Sequence, residues 1–503
     1  MGIKAILASA TASFIGRSVA RKRSNPILDQ AQIFLKLIKK AADTRFGHDH
    51  DFASITKYSD FVERVPLREY EEFSTYIALI KQGESDILWP GKPKYLAKTS
   101  GTTSGIKYIP LTKESMPSHF NTARDAAFNY IYKTGNTAFF DGKLLYLSGS
   151  PELDNTGPIP TGRLSGISNH EVPAIFRRSQ LPSYTVNCIE DWEEKVDAII
   201  SESLDEDIRM ISGIPSWVKM YIERVLQKTG KQKLMEVYPN LSLYIYGGVN
   251  YEPYRSSIEK LIGKQIDTVE LFPASEGFFA FQDEPTLSSM LLNTNSGMFF
   301  EFVSPEFIHL STPPRLNINT IEKDKPYVLI VSSNAGLWAY NTGDIVTFTS
   351  LRPYRLVFSG RSSHFISAFG EHVIGKEVED SMKQALQAFD AEISEFTVAP
   401  QVNPPEGGLP YHEWLIEFSK RPEDMKAFEE YLDNEMTAKN IYYKDLISGG
   451  ILRKLIIKEL LPNSFSQMMK QNGKLGGQNK VPRLTNDRNL ADQLVNIKKE
   501  NAQ

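Results

Sequence analysis

The chain has 503 residues, of which 41% are hydrophobic and 23% charged, and its net charge is −4. This apolar content excludes a disordered chain, the length requires more than one core, and the near-neutral balance leaves no broad basic face for nucleic acid. The single cysteine, Cys188, excludes internal disulfides, cysteine-rich zinc sites and cysteine-held iron–sulfur clusters, and it fits a reducing, cytoplasmic setting.

At the start, Lys4 precedes a short apolar run over 5–10, and Arg17, Arg21, Lys22 and Arg23 follow. This reads as an amphipathic helix rather than a signal peptide. No stretch of about 18 apolar residues occurs, so no membrane span is expected. Apolar residues at helical spacing mark 28–45, and short helices and loops lead to Trp89-Pro90-Gly91. A Gly- and Thr-rich loop follows over 99–105, then a helix over 113–133 and a strand over 144–149. Residues 184–189 read as a half-buried strand in which Cys188 is a small buried hydrophobe, not a nucleophile. Helices are expected over 192–203 and 216–230.

The middle of the chain alternates: strand 243–246 ending in Gly247-Gly248, helix 253–262, strand 267–271. That rhythm predicts a largely parallel sheet with ligands at the C-terminal ends of its strands. From 298 to 358 the pattern becomes strand-rich, as in a small barrel or sandwich. Beyond Gly360-Arg361 it changes again, to a helix over 375–389, strands near 392–399 and 412–419, a helix over 422–438 and a strand over 451–460. The expected class is α/β, with a large N-terminal domain (1–360) of βαβ subdomains and a small β-barrel, and a smaller α+β domain (361–503).

Five segments carry candidate chemistry. The first runs Thr99-Ser100-Gly101-Thr102-Thr103-Ser104-Gly105-Ile106-Lys107. Small residues let a backbone approach phosphate oxygens, hydroxyls and amides donate to them, and the lysine adds a compact charge. The spacing is not Walker A, because Ile106 separates the lysine from the glycine. The second is Phe272-Pro273-Ala274-Ser275-Glu276-Gly277, which puts a carboxylate able to hold Mg²⁺ at the end of a strand. The third, Tyr340-Asn341-Thr342-Gly343-Asp344, offers an aspartate after a tight turn that can accept both hydroxyls of a ribose. The fourth is Gly360-Arg361 at the change of pattern. The fifth is Gly476-Gly477-Gln478-Asn479-Lys480-Val481-Pro482-Arg483. Singly, each also reads as an ordinary turn, loop acid or basic tail.

In order, these segments resemble the adenylate-forming superfamily, which includes acyl-CoA synthetases, nonribosomal adenylation domains and luciferase. A narrower resemblance rests on Thr44-Arg45-Phe46-Gly47, Val65-Pro66-Leu67-Arg68-Glu69-Tyr70-Glu71, Ser100-Gly101-Thr102-Thr103, Lys107-Tyr108-Ile109-Pro110 and Gln478-Asn479-Lys480-Val481-Pro482-Arg483. These look like the auxin-responsive promoter family of acyl acid–amido synthetases.

The resemblance implies a mobile C-terminal domain and a reaction in two steps. ATP, with Mg²⁺, and a small carboxylic acid give an acyl-adenylate and pyrophosphate; an amine, usually an amino acid, then takes the acyl group as an amide. It places Ser100, Gly101, Thr102, Thr103 and Lys107 on the ATP phosphates, and Gly247, Gly248 and Val249 at adenine. Ser275 falls beside the α-phosphate, Glu276 on Mg²⁺, Asp344 on the ribose and Arg361 at the hinge. Lys480 bridges the acid and the α-phosphate, with Lys474 as its competitor. Phe272 stands where many relatives carry an aromatic hydroxyl. Two other readings share these residues: an adenylate-forming ligase with another acceptor, such as an acyl-CoA synthetase, and a non-catalytic relative that binds nucleotide or acid.

Overall fold

The computed structural model describes the chain except residues 1–2, 23, 101–105, 173–176, 190, 249–250, 362–364, 367–372, 449–451, 475–479, 486–487 and 501–503. Its described residues divide into two compact units. One comprises residues 1–214, 235–248 and 266–357; the other comprises 215–234, 249–265 and 358–503.

The first unit is built on a twelve-stranded sheet. Strands Gln180–Leu181, Lys143–Tyr146, Ile208–Ser212, Leu243–Gly247 and Asp267–Ala274 lie side by side and parallel. Tyr146, Ser212, Ile245 and Val269 form one row across them. From Gly277–Phe281 onward the sheet continues antiparallel through Met290–Leu292, Tyr354–Arg361, Tyr340–Leu351, Pro326–Ser333, Met298–Val303 and Leu316–Asn317. The strand-rich segment expected as a small barrel therefore supplies the antiparallel half of this sheet. Its strands are apolar on both faces, with all six residues of Met298–Val303 buried, as a doubly covered sheet requires.

Two N-terminal helices cover this sheet. Ile3–Lys22 packs Ile15 and Val19 with Ala126, Phe278 and Phe281, and sets Ala8 and Ala12 against Tyr130, Ile131 and Phe139. Gly16 faces the Tyr132 ring so closely that an added Cβ would lie 2.3 Å from it. Pro26–Ala41 buries Ile33, Phe34, Leu37 and Ile38, and Gln30 Nε2 donates to the carbonyls of Thr294 and Met298 at 2.9 and 2.8 Å. No helix among the described residues is long and apolar enough to cross a membrane.

The second unit contains a three-stranded sheet, Glu392–Gln401, Tyr411–Lys420 and Ile456–Glu459. Alternation along its strands feeds two cores. Phe396, Val398, Trp414 and Ile416 pack against helices Gly375–Ala388 and Met425–Lys439; Ala399 and Leu415 turn toward Ser464–Gln471 and Asn489–Glu500. The α+β pattern read from the sequence is thus present.

Cys188 requires a correction. Tyr184–Asn187 is one turn of helix, not a strand, and Cys188 caps it. Ser183 drives this, because its side chain accepts from Val186 N at 3.3 Å and so favours a helix start over an extended run. Burial pushes the Cys188 thiol up, which leaves it less of a nucleophile.

Candidate active site

The Gly/Thr-rich segment is flanked by a hairpin. Tyr95–Ser100 pairs antiparallel with Ile106–Leu111, with Thr99 opposite Lys107 and Ser100 opposite Ile106. Gly101, Thr102 and Thr103 lie outside the described residues, as does the Ser100 side chain. Lys107 is half-buried, with its Nζ 5.6 Å from the centroid of the Tyr70 ring. Tyr70 Oη accepts from the backbone N–H of Tyr108 at 2.8 Å, so one side chain both fixes the lysine's strand and offers its face to the lysine.

Residues 65–71 also reach the strand that carries Asp344. Arg68 N donates to Ala339 O at 3.0 Å, and Asn341 N donates to Arg68 O at 2.8 Å. Arg68 Nη2 reaches His50 Nε2 at 2.8 Å, and His50 Nδ1 lies 2.9 Å from Phe46 O. Burial lowers the His50 pKa, so the neutral ring accepts from Arg68 and donates to the carbonyl. The Thr44–Gly47 segment supplies the support: Thr44 caps helix Arg45–Asp49 by accepting from Gly47 N at 3.0 Å. A Cβ on Gly47 would fall 2.1 Å from Ala41 O. Lys107 and Asp344 are therefore tied, through Tyr70 and Arg68, to one short segment.

Asp344 sits in a bulge rather than the expected tight turn. Ile330 faces Asn341 while Val328 faces Ile345, which leaves Thr342, Gly343 and Asp344 opposite Leu329 alone. Gly343 takes φ +74°, and Thr342 Oγ1 donates to Leu329 O at 2.8 Å while accepting from Asp344 N at 3.1 Å. Asp344 is 3% exposed. The Asn-Thr-Gly-Asp pattern is the set of side chains that builds this bulge.

At the C-terminal edge of the parallel strands, Gly247 pairs with Leu271. A Cβ on Gly247 would meet Leu271 O at 2.5 Å, and Gly248 has φ +82°. Ala274 pairs with Gly277, so Ser275 and Glu276 form the two-residue tip of a hairpin at the same edge. Gly277 is required there, since its Cβ would fall 2.2 Å from Met298 Sδ. Val249 lies outside the described residues. The fold thus brings Gly247 and Gly248 together with Ser275 and Glu276, whereas Asp344 stands farther along the same sheet. Phe272 is buried edge-on to Phe279 at 5.2 Å, and Phe278, Phe279 and Phe281 are buried core residues.

In the second unit, Lys480 and Lys474 are both exposed. Lys480 stands two residues before a pinned segment. Val398 N donates to Arg483 O at 2.9 Å, Thr397 Oγ1 donates to Pro482 O at 2.7 Å, and Thr485 N donates to Val398 O at 2.9 Å. Arg483 is largely buried, its side chain 11% exposed, and donates to Glu395, to Glu379 Oε1 at 3.1 Å and to Tyr254 Oη at 2.7 Å. Burial opposes its charge, yet Glu395, Tyr254 and Glu379 outweigh that and hold its pKa well above the ordinary value. Gly360 takes φ +128°, where an added Cβ would lie a tight 3.0 Å from Gly375 N, and the side chain of the following Arg361 lies outside the described residues.

Family profiles cover most of the chain: the GH3 family N-terminal domain matches residues 17–173 and 160–266, the central domain 291–361 and the C-terminal domain 376–489. The chain belongs to the GH3 family. It is 20% identical over 385 residues to jasmonoyl–L-amino acid synthetase JAR4 of Nicotiana attenuata, a match that takes in 63% of this chain and 66%, just under two thirds, of that protein. Its fold is that of AtGH3.15 acyl acid amido synthetase in complex with 2,4-DB: the TM-score is 0.79 at 16% identity, over 97% of this chain and 96% of that one. It is also similar to 2-hydroxyisobutyryl-CoA ligase in a postadenylation state with 2-HIB-AMP, with a TM-score of 0.59 at 11% identity over 94% and 91% of the two chains.

Within this GH3 fold, motif reading overlooked the residues that position others. Tyr70 and Arg68 were visible only as part of a family-like segment. Tyr254, Glu379 and Glu395 carry no local signal, because their partner Arg483 lies 88 to 229 residues away in sequence.

Proposed function

We propose that this GH3 protein is an ATP-dependent ligase that activates a small carboxylic acid as its acyl-adenylate and transfers the acyl group to an amine, an amino acid in the first instance. The observation that carries this reading is the convergence of Gly247-Gly248 and Ser275-Glu276 on one edge of a parallel sheet, in a chain of this family. That edge is where open α/β sheets bind nucleotides.

The division of labour follows from the chemistry. Ser100, Gly101, Thr102, Thr103 and Lys107 take the ATP phosphates, Gly247, Gly248 and Val249 the adenine, Asp344 the ribose, and Arg361 the hinge side of the nucleotide. Ser275 stands at the α-phosphate. A carboxylate oxygen of the acid attacks that phosphorus and pyrophosphate leaves; the amine nitrogen then attacks the acyl carbon, and AMP leaves with the carboxylate oxygen. Two anions must meet in the first step, so the protein's work is to position them and to offset charge, which is the role assigned to Lys480 and Lys107. Glu276 fits Mg²⁺: a lone carboxylate at a hairpin tip suits an ion that takes one or two protein carboxylates and completes its shell with phosphate and water. When bound, Mg²⁺ would neutralise phosphate charge there.

The break between the central and C-terminal family profiles, at residues 361 and 376, supports a division into 1–360 and a C-terminal domain of 361–503. Use of ATP and a lone thiol support a cytoplasmic place. The test is pyrophosphate release from ATP and Mg²⁺ over a panel of carboxylic acids, with amino acids or CoA added. Acid-dependent release raised by amino acids is expected. Release raised only by CoA would make the protein a thioester-forming ligase, and ATP binding without release would make it a non-catalytic relative.

A further inference from the structure

Just beyond the strand Lys143–Tyr146, two cations gather without an acid between them. Lys195 is 2% exposed, and its Nζ donates to Asn187 O at 2.6 Å and Ser148 O at 3.2 Å. On the other side of Gly149, a Cβ would lie 3.1 Å from Arg163 Cδ, 3.6 Å from Arg163 Nη1 and 3.6 Å from Ser165 Oγ. The guanidinium and the hydroxyl therefore meet over a residue that has no side chain to separate them. Ser165 is 3% exposed, and its Oγ has no hydrogen-bond partner.

Buried charge is ordinarily paired, and a buried hydroxyl ordinarily bonded. Here, among the described residues, Lys195 meets only backbone carbonyls, the half-buried Arg163 meets no acid, and the Ser165 hydroxyl is unbonded. Among the described residues no carboxylate lies within ion-pair reach of Arg163 or Lys195. Glu152, whose field is felt at neighbouring Cys188, is exposed and bonded to neither cation. Burial, and then the charge of Arg163 against a counter-effect from Cys188, holds the Lys195 pKa down at about 8, so the charge of Arg163 is felt at Lys195. An anion placed over Gly149 would relieve both and accept the idle Ser165 hydroxyl.

The place in the fold bears on which anion. Gly149 lies three residues past Tyr146, Gly247 two past Ile245, and these two residues share a row across the sheet. Two strand spacings separate them, roughly 10 Å. The reacting carboxylate of the acid is already assigned Lys480, and the ATP phosphates Lys107, so this pair of cations serves a second carboxylate. We infer that Arg163, Lys195 and Ser165 form a carboxylate subsite for the amino-acid acceptor. The inference rests on the amide-forming reading above.

The test compares each amino acid with the amine it becomes on loss of CO₂, alanine with ethylamine and phenylalanine with phenethylamine, in wild type, Arg163→Met and Ser165→Ala. The acid is whichever the release assay selects. Arg163→Met is expected to lower kcat/KM for the amino acids about 10- to 100-fold, mainly through KM, as for loss of a charge-assisted hydrogen bond, and to leave the amines at their wild-type values. Ser165→Ala should do the same more weakly. Equal losses for amino acids and amines would overturn the subsite. Losses confined to dicarboxylic acids in pyrophosphate release would keep the carboxylate chemistry but overturn the acceptor as its source. If wild type releases no pyrophosphate with any acid, the function proposed above falls, and calorimetric titration with succinate decides the subsite by itself: binding that Arg163→Met abolishes keeps it, and no binding to wild type removes it.

Discussion

The sheet edge of the first unit and the Lys480 segment of the second solve the same problem, holding a functional group at one place, with different materials. At the sheet edge the backbone does it. Gly247 and Gly277 are glycines because Leu271 O and Met298 Sδ occupy the space of a side chain, and Gly343 is one because the bulge takes a positive φ. Around Lys480 the anchor is a buried ion network, Arg483 with Glu379 and Glu395, closed by Tyr254. Backbone sites resist loss of one side chain but not addition of one. An ion network fails when a partner is removed, because the remaining charges stay buried.

The sharpest break in this comparison is Arg483→Met. It should lower unfolding free energy by about 3–5 kcal/mol, read by denaturant titration, because Glu379 and Glu395 lose their counter-charge. Tyr254→Phe removes only the hydroxyl that accepts from Arg483 and donates to Glu395, leaving the charges paired, and a smaller loss of about 2 kcal/mol is expected. A loss as small in Arg483→Met would show the network to be no anchor.

Lys480→Ala tests the group that the network holds. Acid-dependent pyrophosphate release should fall about 10²–10³-fold with ATP binding retained, as for loss of one transition-state donor. Lys474→Ala should change little, since it is Lys480 that stands just before the Pro482–Thr485 segment bonded to Thr397 and Val398. The reverse result would exchange the two assignments.

Asp344→Ala tests the backbone-built side. ATP affinity should weaken by about 1.5–3 kcal/mol in calorimetry, the value of hydrogen bonds to a charged group, with the fold intact. Unchanged affinity would remove Asp344 from the ribose site.

An effect that vanishes at neutral pH concerns His119, which is 6% exposed and held by burial at about 4. The unfolded chain takes up that proton near 6.5, so the native state loses stability as pH falls from about 6.5 toward 4, by up to about 1.4 kcal/mol per pH unit. His119→Phe should flatten that part of the pH–stability curve relative to wild type.

The same contrast explains what could be read from the sequence. Motifs made of local geometry were legible: the strand ending in Gly247-Gly248, the Ser275-Glu276 tip, and the Gly343-Asp344 segment. Helix and strand periods gave the three strands and first two helices of the α+β unit, but not helices Ile441–Ser448, Ser464–Gln471 and Asn489–Glu500. What stayed hidden depended on distance along the chain. Nothing near Tyr254 announces Arg483, and Arg163 and Ser165 carry no motif until the fold sets them over Gly149 beside Lys195. At Cys188 a local choice misled, because the alternation of 184–189 looks extended while the Ser183 cap makes it a helical turn.

The central claim, attack of a carboxylate on the α-phosphorus, has a direct isotopic signature. With an acid labelled by ¹⁸O in its carboxylate and an amine acceptor, the AMP released should carry one ¹⁸O atom by mass spectrometry. Unlabelled AMP, or label found in inorganic phosphate beside ADP, would contradict adenylation and with it the roles assigned to Ser275, Lys107 and Lys480.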